Sequence, residues 1–191
     1  MPVAKVNGID LYYEEAGSGF PLVWCHEYAG DYRSWEPQMR HFARRYRVVT
    51  FSMRGYPPSG APPGAGHYGI PTLVEDLRQL LKHLGIERAY LGGLSLGGNV
   101  VMNFSILHPG LVAGLILAST GTDAQDRDNF VREFARLADE TEHKGMGVLV
   151  EAFGQAPTHQ AFRLKDPRGW AEFLRGIGDH PAPAENFTRK I

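Results

Sequence analysis

Apolar and polar positions change period several times along this chain, and each change marks an element. Ala4-Lys5-Val6 and Ile9-Asp10-Leu11-Tyr12-Tyr13 flank Asn7-Gly8. Asn-Gly accepts the positive φ angles of a two-residue turn, so the chain opens with an antiparallel hairpin. Gly17-Ser18-Gly19 is a turn. Pro21-Leu22-Val23-Trp24-Cys25 and Arg47-Val48-Val49-Thr50-Phe51 are nearly unbroken apolar runs, the composition of strands buried on both faces. Residues 33–45, between them, read as a helix. The stretch 55–69 is rich in proline and glycine and reads as an irregular loop.

The period then becomes helical. Leu73, Leu77, Leu80, Leu81 and Leu84 form one stripe. Pro71 stands at its start, Thr72 and Glu75 have capping-box spacing, and Gly85 suits the C-terminal stop. Residues 89–104 read as a strand through Tyr90 and Leu91, a glycine-rich turn with Ser95 at its apex, and a helix turning Val100, Val101, Phe104 and Leu107 inward. That helix ends at His108-Pro109-Gly110, and Leu115-Ile116-Leu117-Ala118 reads as one more buried strand. Alternating strands and helices predict an α/β fold, a mostly parallel sheet with helices on both faces. After Gly121 the pattern turns helical, with amphipathic segments at about 127–142, 145–153 and 167–177. Val148-Leu149-Val150 is a possible short strand. No internal repeat is visible, and 122–191 reads as a helical excursion from the sheet rather than a second independent domain.

Composition narrows the classes. The 191 residues suffice for one domain with a sizeable core, and 43% are hydrophobic. Twenty Lys+Arg balance 21 Asp+Glu for a net charge of −1, which speaks against a nucleic-acid partner. No apolar run reaches the length of a membrane span, and the N-terminus lacks a signal-peptide core. A single cysteine, Cys25, cannot form an internal disulfide, so the expectation is a cytoplasmic protein. No cofactor or metal site is expected: the glycines at 92–98 lack the Lys-Ser/Thr of a phosphate loop and the G-x-G-x-x-G spacing. His26-Glu27 is followed by Gly30 where a zinc helix needs histidine. Arg44, Arg45 and Arg47 read as a solvated edge.

The chemistry centres on Gly93-Leu94-Ser95-Leu96-Gly97, a G-x-S-x-G in strand–turn–helix context, the nucleophile elbow. The turn must project the Ser95 hydroxyl, and the flanking glycines leave it room. Leu96 then offers a backbone N–H at a helix N-terminus to a developing oxyanion. With this motif, three further stretches resemble the α/β-hydrolase superfamily over residues 3–121. Leu22-Val23-Trp24-Cys25-His26-Glu27-Tyr28-Ala29-Gly30 resembles the family's strand and His-Gly-x-x-Gly oxyanion loop. Ser34-Trp35-Glu36-Pro37-Gln38 resembles the start of its first helix, and Arg54-Gly55-Tyr56-Pro57-Pro58-Ser59 its Arg-Gly-x-Gly-x-Ser loop.

The resemblance implies an α/β-hydrolase core over 1–121 with six strands, and a helical cap over 122–191 that shapes the pocket. It implies Ser95 as nucleophile, the N–H groups of Tyr28 and Leu96 as oxyanion hole, and a mainly structural His26. The expected reaction is cleavage of an ester or related acyl bond in a small, fairly apolar substrate. Glu27 stands where the family usually has glycine, and a carboxylate there would oppose an oxyanion, so its side chain is expected to point away to solvent. Pro57 replaces another family glycine.

In the family, two more strands and a final helix follow the cap and carry the acid and the histidine, so the sequence reads as C-terminally incomplete, with little turnover expected of this polypeptide alone. Without those strands, Leu115–Ala118 would be an exposed sheet edge, a place for self-association. A minority of the family draws its acid from the loop holding Asp123, a position that also suits a helix cap or turn aspartate. Of the eight histidines, His26 adjoins the elbow, His41, His67, His83 and His108 belong to the core helices and loops, and His143, His159 and His180 to the cap. The alternatives are a non-catalytic small-molecule-binding protein on the same fold, or a short hydrolase with an unorthodox triad such as Ser95, Asp123 and His180.

Overall fold

The computed structural model describes residues 2–121 and 126–179. The chain divides into two compact units, Met1–Thr122 and Asp123–Ile191.

The first unit is built on a six-stranded sheet of order β1-β2-β4-β3-β5-β6. Its strands are β1 (Val3–Val6), β2 (Ile9–Ala16), β3 (Phe20–Cys25), β4 (Tyr46–Phe51), β5 (Ala89–Leu94) and β6 (Val112–Ala118). The opening hairpin forms as the turn chemistry predicts: Asn7 and Gly8 sit at φ 46° and 77°, and Val6 pairs with Ile9. β2 also runs antiparallel to β4, while β4, β3, β5 and β6 are mutually parallel.

Adjacent glycines of β5 separate the two faces of the sheet. A Cβ on Gly92 would overlap the Trp24 ring, so the indole lies across bare backbone there. Trp24 stacks on Trp35 at 4.3 Å, and α1 (Glu36–Phe42) packs Met39 and Phe42 on this face. Gly93 points the other way, against the backbone of Gly97 and Gly98 in α3 (Leu96–Leu107). Next to α3 lies α2 (Ile70–His83), whose Leu77, Leu80 and Leu81 are inaccessible, each contributing roughly 2 kcal/mol by burial.

Several expectations are corrected. The helix expected over 33–45 is a 3₁₀ turn, Tyr32–Trp35, followed by the shorter α1. Asp31 caps the turn by accepting from the Arg33 N–H, and Pro37, which has no N–H, is tolerated because it falls in the first turn of α1. The Thr72–Glu75 capping box does not form: the helix starts at Ile70, so Thr72 is already inside it and Glu75 pairs with Arg78. Gly85 does stop the helix at φ 65°, with Ile86 N–H bonded to Leu81 and Gly85 N–H to Lys82. Val100, Val101 and Phe104 are inaccessible, but Leu107, expected inward, is 62% exposed at the last residue of α3. β6 is likewise accessible along its whole length, since it has a strand on one side only.

The second unit is helical: α4 (Arg127–Lys144), α5 (Gly147–Gln155), α6 (Gln160–Lys165) and α7 (Pro167–Gly178). Val148–Val150 is part of α5, not a strand. Asp126 and Asp166 cap α4 and α7 by accepting from the N–H groups of Asn129 and Gly169. Phe153, His159, Phe162, Trp170 and Phe173 form an aromatic cluster, and Leu149 and Ile177 are buried.

Candidate active site

The C-terminal ends of β3, β5 and β6 converge on the first turn of α3. Ser95 links β5 to α3 at φ 51°, ψ −113°, a strained conformation for a residue with a Cβ. Two hydrogen bonds hold it: its N–H donates to the Ala118 carbonyl of β6 at 3.0 Å, and its carbonyl accepts from the Asn99 N–H at 3.0 Å. Gly92, Gly93, Leu96, Gly97 and Gly98 around it are buried, whereas Ser95 is exposed. The glycines act by close approach. A Cβ on Gly97 would overlap the Cys25 carbonyl, and one on Gly98 would overlap the Thr120 hydroxyl. The first turn of α3 is thereby seated against the loop that follows β3, with Leu96 at its first helical position.

In that loop, Gly30 N–H donates to the Glu27 carbonyl at 3.1 Å, closing a turn with Ala29 at φ 62°. Such a turn favours glycine at its third position, so Ala29 stores strain that its surroundings must hold. His26 is inaccessible and uses both ring nitrogens: Nε2 accepts from the Met53 N–H at 2.9 Å, so Nδ1 carries the proton and donates to the Glu27 carbonyl at 2.7 Å. A neutral imidazole with both nitrogens engaged has no capacity to take a proton from serine. Tyr28 is buried, and Tyr56 stands edge-on to His26 at 4.6 Å.

Glu27 departs from expectation. Its carboxyl folds inward instead of toward solvent: Oε1 accepts from the Ser34 hydroxyl at 3.0 Å, and Oε2 is inaccessible with no hydrogen-bond partner. Gly30 makes the room, since a Cβ there would lie 2.5 Å from Glu27 Oε1. Burial pushes this carboxyl above the usual carboxylate range, against the pull of its own N–H and the Ser34 hydroxyl.

Behind the loops lies a buried ion pair absent from the sequence reading. Arg54 donates to both carboxylate oxygens of Asp76 at 2.7 and 2.9 Å and to the Asn7 carbonyl at 2.8 Å, and the Asn7 amide also reaches Asp76. The signal was present: Asp76 sits three residues after Leu73 and four before Leu80, inside the buried stripe of α2.

The other candidates lie elsewhere. Cys25 is buried in β3, and burial pushes its thiol far up, keeping it protonated and unreactive. His41 rests on Phe42, His83 on Tyr13 and His108 on Phe104. His143 bonds the Asp139 carbonyl within its own helix. Asp123 and His180 lie outside the described residues. Among the described residues no cluster of His, Cys, Asp and Glu is arranged to hold a metal, and no helix is long and apolar enough to cross a membrane.

A strand–turn–helix with a strained serine, seated against a glycine-bearing loop at the C-terminal edge of a mostly parallel sheet, defines an α/β-hydrolase architecture. Residues 21–174 match the alpha/beta hydrolase fold family, and the chain belongs to it. Epoxide hydrolase 3 of Mus musculus is 34% identical over 121 residues, covering 62% of this chain and 33% of its own length. The match thus spans about a fifth to a third of the length of the curated relatives. Among solved structures, a thermophilic esterase from Thermogutta terrifontis superposes with a TM-score of 0.83 at 26% identity, over 100% of this chain and 71% of that one. The enol-lactonase from Burkholderia xenovorans LB400 gives 0.83 at 23% identity, over 98% and 71%, a likeness of fold.

Proposed function

We propose that this chain carries the nucleophile and oxyanion hole of a serine hydrolase that cleaves an ester or lactone of a small, fairly apolar molecule. The observation that carries the reading is Ser95, exposed at φ 51° on the turn between β5 and α3, amid buried neighbours. Its hydroxyl attacks the acyl carbon, and the N–H groups of Leu96 and Tyr28 receive the oxyanion.

The matched proteins include epoxide hydrolases as well as an esterase and a lactonase. Chemistry decides between them. A serine oxygen that opens an epoxide forms an ether, which water does not cleave, so the enzyme would be spent after one event. The same oxygen on an acyl carbon forms an ester, which water cleaves, and the serine is restored. A serine at the elbow therefore favours acyl transfer.

His26 is not assigned as general base, because Met53 and the Glu27 carbonyl occupy its ring. Among the described residues none is assigned as general base, and an acyl-transfer serine that lacks one loses several orders of magnitude in rate, so turnover of p-nitrophenyl acetate by this polypeptide is expected near background. The test is therefore covalent. Incubation with a fluorophosphonate, followed by peptide mapping, is expected to show slow modification confined to Ser95 and lost in Ser95→Ala. An unmodified Ser95 would favour a protein that binds acyl compounds without consuming them. Modification that persists in Ser95→Ala would put the nucleophile elsewhere.

A further inference from the structure

Glu27 is a carboxyl beside the elbow that the proposed reaction does not use, and its Oε2 is inaccessible and unpartnered. Its main chain and its side chain both tie the loop down. The carbonyl accepts from Gly30 N–H and from His26 Nδ1, and the carboxyl bends back to the Ser34 hydroxyl. Ser34 belongs to the next element, the 3₁₀ turn capped by Asp31, and its Oγ also faces the Asp31 N–H at 3.4 Å. Glu27 thus joins both ends of the segment that holds Tyr28 and the strained Ala29.

We propose that Glu27 is a positioning residue of the oxyanion loop: its carboxyl clamps the 27–30 turn to Ser34 and so fixes where the Tyr28 N–H points. This rests on the reading of 27–30 as an oxyanion loop. The geometry favours the neutral form. The Ser34 hydroxyl donates to Oε1 and the residue's own N–H pulls on the carboxyl, but Oε2 has no hydrogen-bond partner. An ionised Oε2 would be a buried charge without compensation, whereas a protonated one is only an unsatisfied donor, the far smaller cost. Among the described residues, the groups acting on the carboxyl include no cation. Asp31 is acidic and engaged by Arg33, Tyr56 brings a phenol, and His26 is neutral. A carboxylate here would also place negative charge beside the site where the oxyanion forms.

The test compares wild type, Glu27→Gln and Glu27→Ala in the same 191-residue protein. Gln keeps an acceptor for Ser34 and cannot ionise, while Ala removes the clamp. The first readout is unfolding by urea from pH 4 to 9. A carboxyl whose pKa rises on folding keeps a proton that the unfolded chain releases. Wild type is then most stable at or below the usual carboxylate range and loses stability as pH rises, until the raised value is passed. Relative to Glu27→Gln, its unfolding constant is expected to grow by up to tenfold per pH unit across that window. Asp76 and the other carboxyls cancel in the ratio.

The second readout is the rate of fluorophosphonate modification of Ser95. Wild type is expected to slow relative to Glu27→Gln over the same window, and Glu27→Ala to be slower than both at low pH by tenfold or more. A wild-type to Gln stability ratio that does not vary with pH overturns the neutral clamp. Equal modification rates in wild type and Glu27→Ala overturn the positioning role. If Ser95 is unmodified in every variant, the hydrolase reading falls and the positioning role with it, while the stability ratio still decides whether the carboxyl is held neutral.

Discussion

Leu91 of β5 and Leu115 of β6 stand opposite one another in the same parallel ladder, on the face that α3 covers. Leu91 is inaccessible, and Leu115 is 37% exposed. The residue type, strand type and register are shared, so composition does not explain the difference. β5 has β3 on one side and β6 on the other, with Gly93 packed directly on the α3 backbone. Among the described residues β6 has β5 alone, and its Ile116 and Leu117 are 43% and 46% exposed on opposite faces. Edge strands in stable sheets are protected by charge, proline or a bulge; Val112–Ala118 contains no charged residue and no proline, and its one register shift against β5 falls at its start, between Val112 and Gly114. β6 has the sequence of an interior strand in the position of an edge.

The sharpest way to break this comparison lies on the interior side. Gly97→Val drives a branched side chain into the Cys25 carbonyl, a backbone atom that cannot yield, and is expected to abolish folding. Circular dichroism showing a cooperative transition near the wild-type temperature would refute the close approach. Next comes the leucine pair itself. Leu91→Ala is expected to cost about 2–5 kcal/mol in urea unfolding, and Leu115→Ala only about 1 kcal/mol, because a half-open site leaves little cavity. Equal costs would mean that β6 is covered in solution.

Smallest in stability is Ile116→Lys, expected within about 0.5 kcal/mol of wild type because the side chain already meets solvent. Its effect is on association. We propose that two copies of the chain associate through β6, and a lysine there is expected to lower the self-associated fraction in light scattering. A wild-type chain that stays monomeric at high concentration would sink that proposal.

The elbow was readable because its constraint is local: a strand, a turn that needs glycine on both sides of Ser95, and a helix occupy consecutive residues. The hairpin at Asn7-Gly8 and the Gly85 stop were readable for the same reason, each a backbone conformation that few residues tolerate. The loop after β3 was readable in part. His26 falls where the family motif has it, but the inward turn of Glu27 depends on Ser34 seven positions on and on the space Gly30 leaves. The Arg54–Asp76 pair joins residues 22 apart, and only the misplaced polarity of Asp76 within a leucine stripe hinted at it.

By itself the sequence determined the strands of the sheet, the Asn7-Gly8 turn, the Gly85 stop, and which residue stands at the apex of the elbow. Those outcomes follow from φ preferences, hydrophobic period and capping, whose reach is a few residues. Only the tertiary structure decided that β6 lies at the edge, that His26 has both ring nitrogens engaged, and that the Glu27 carboxyl is enclosed. Burial and proton affinity depend on which distant groups exclude water from an atom, and that is settled when the sheet assembles.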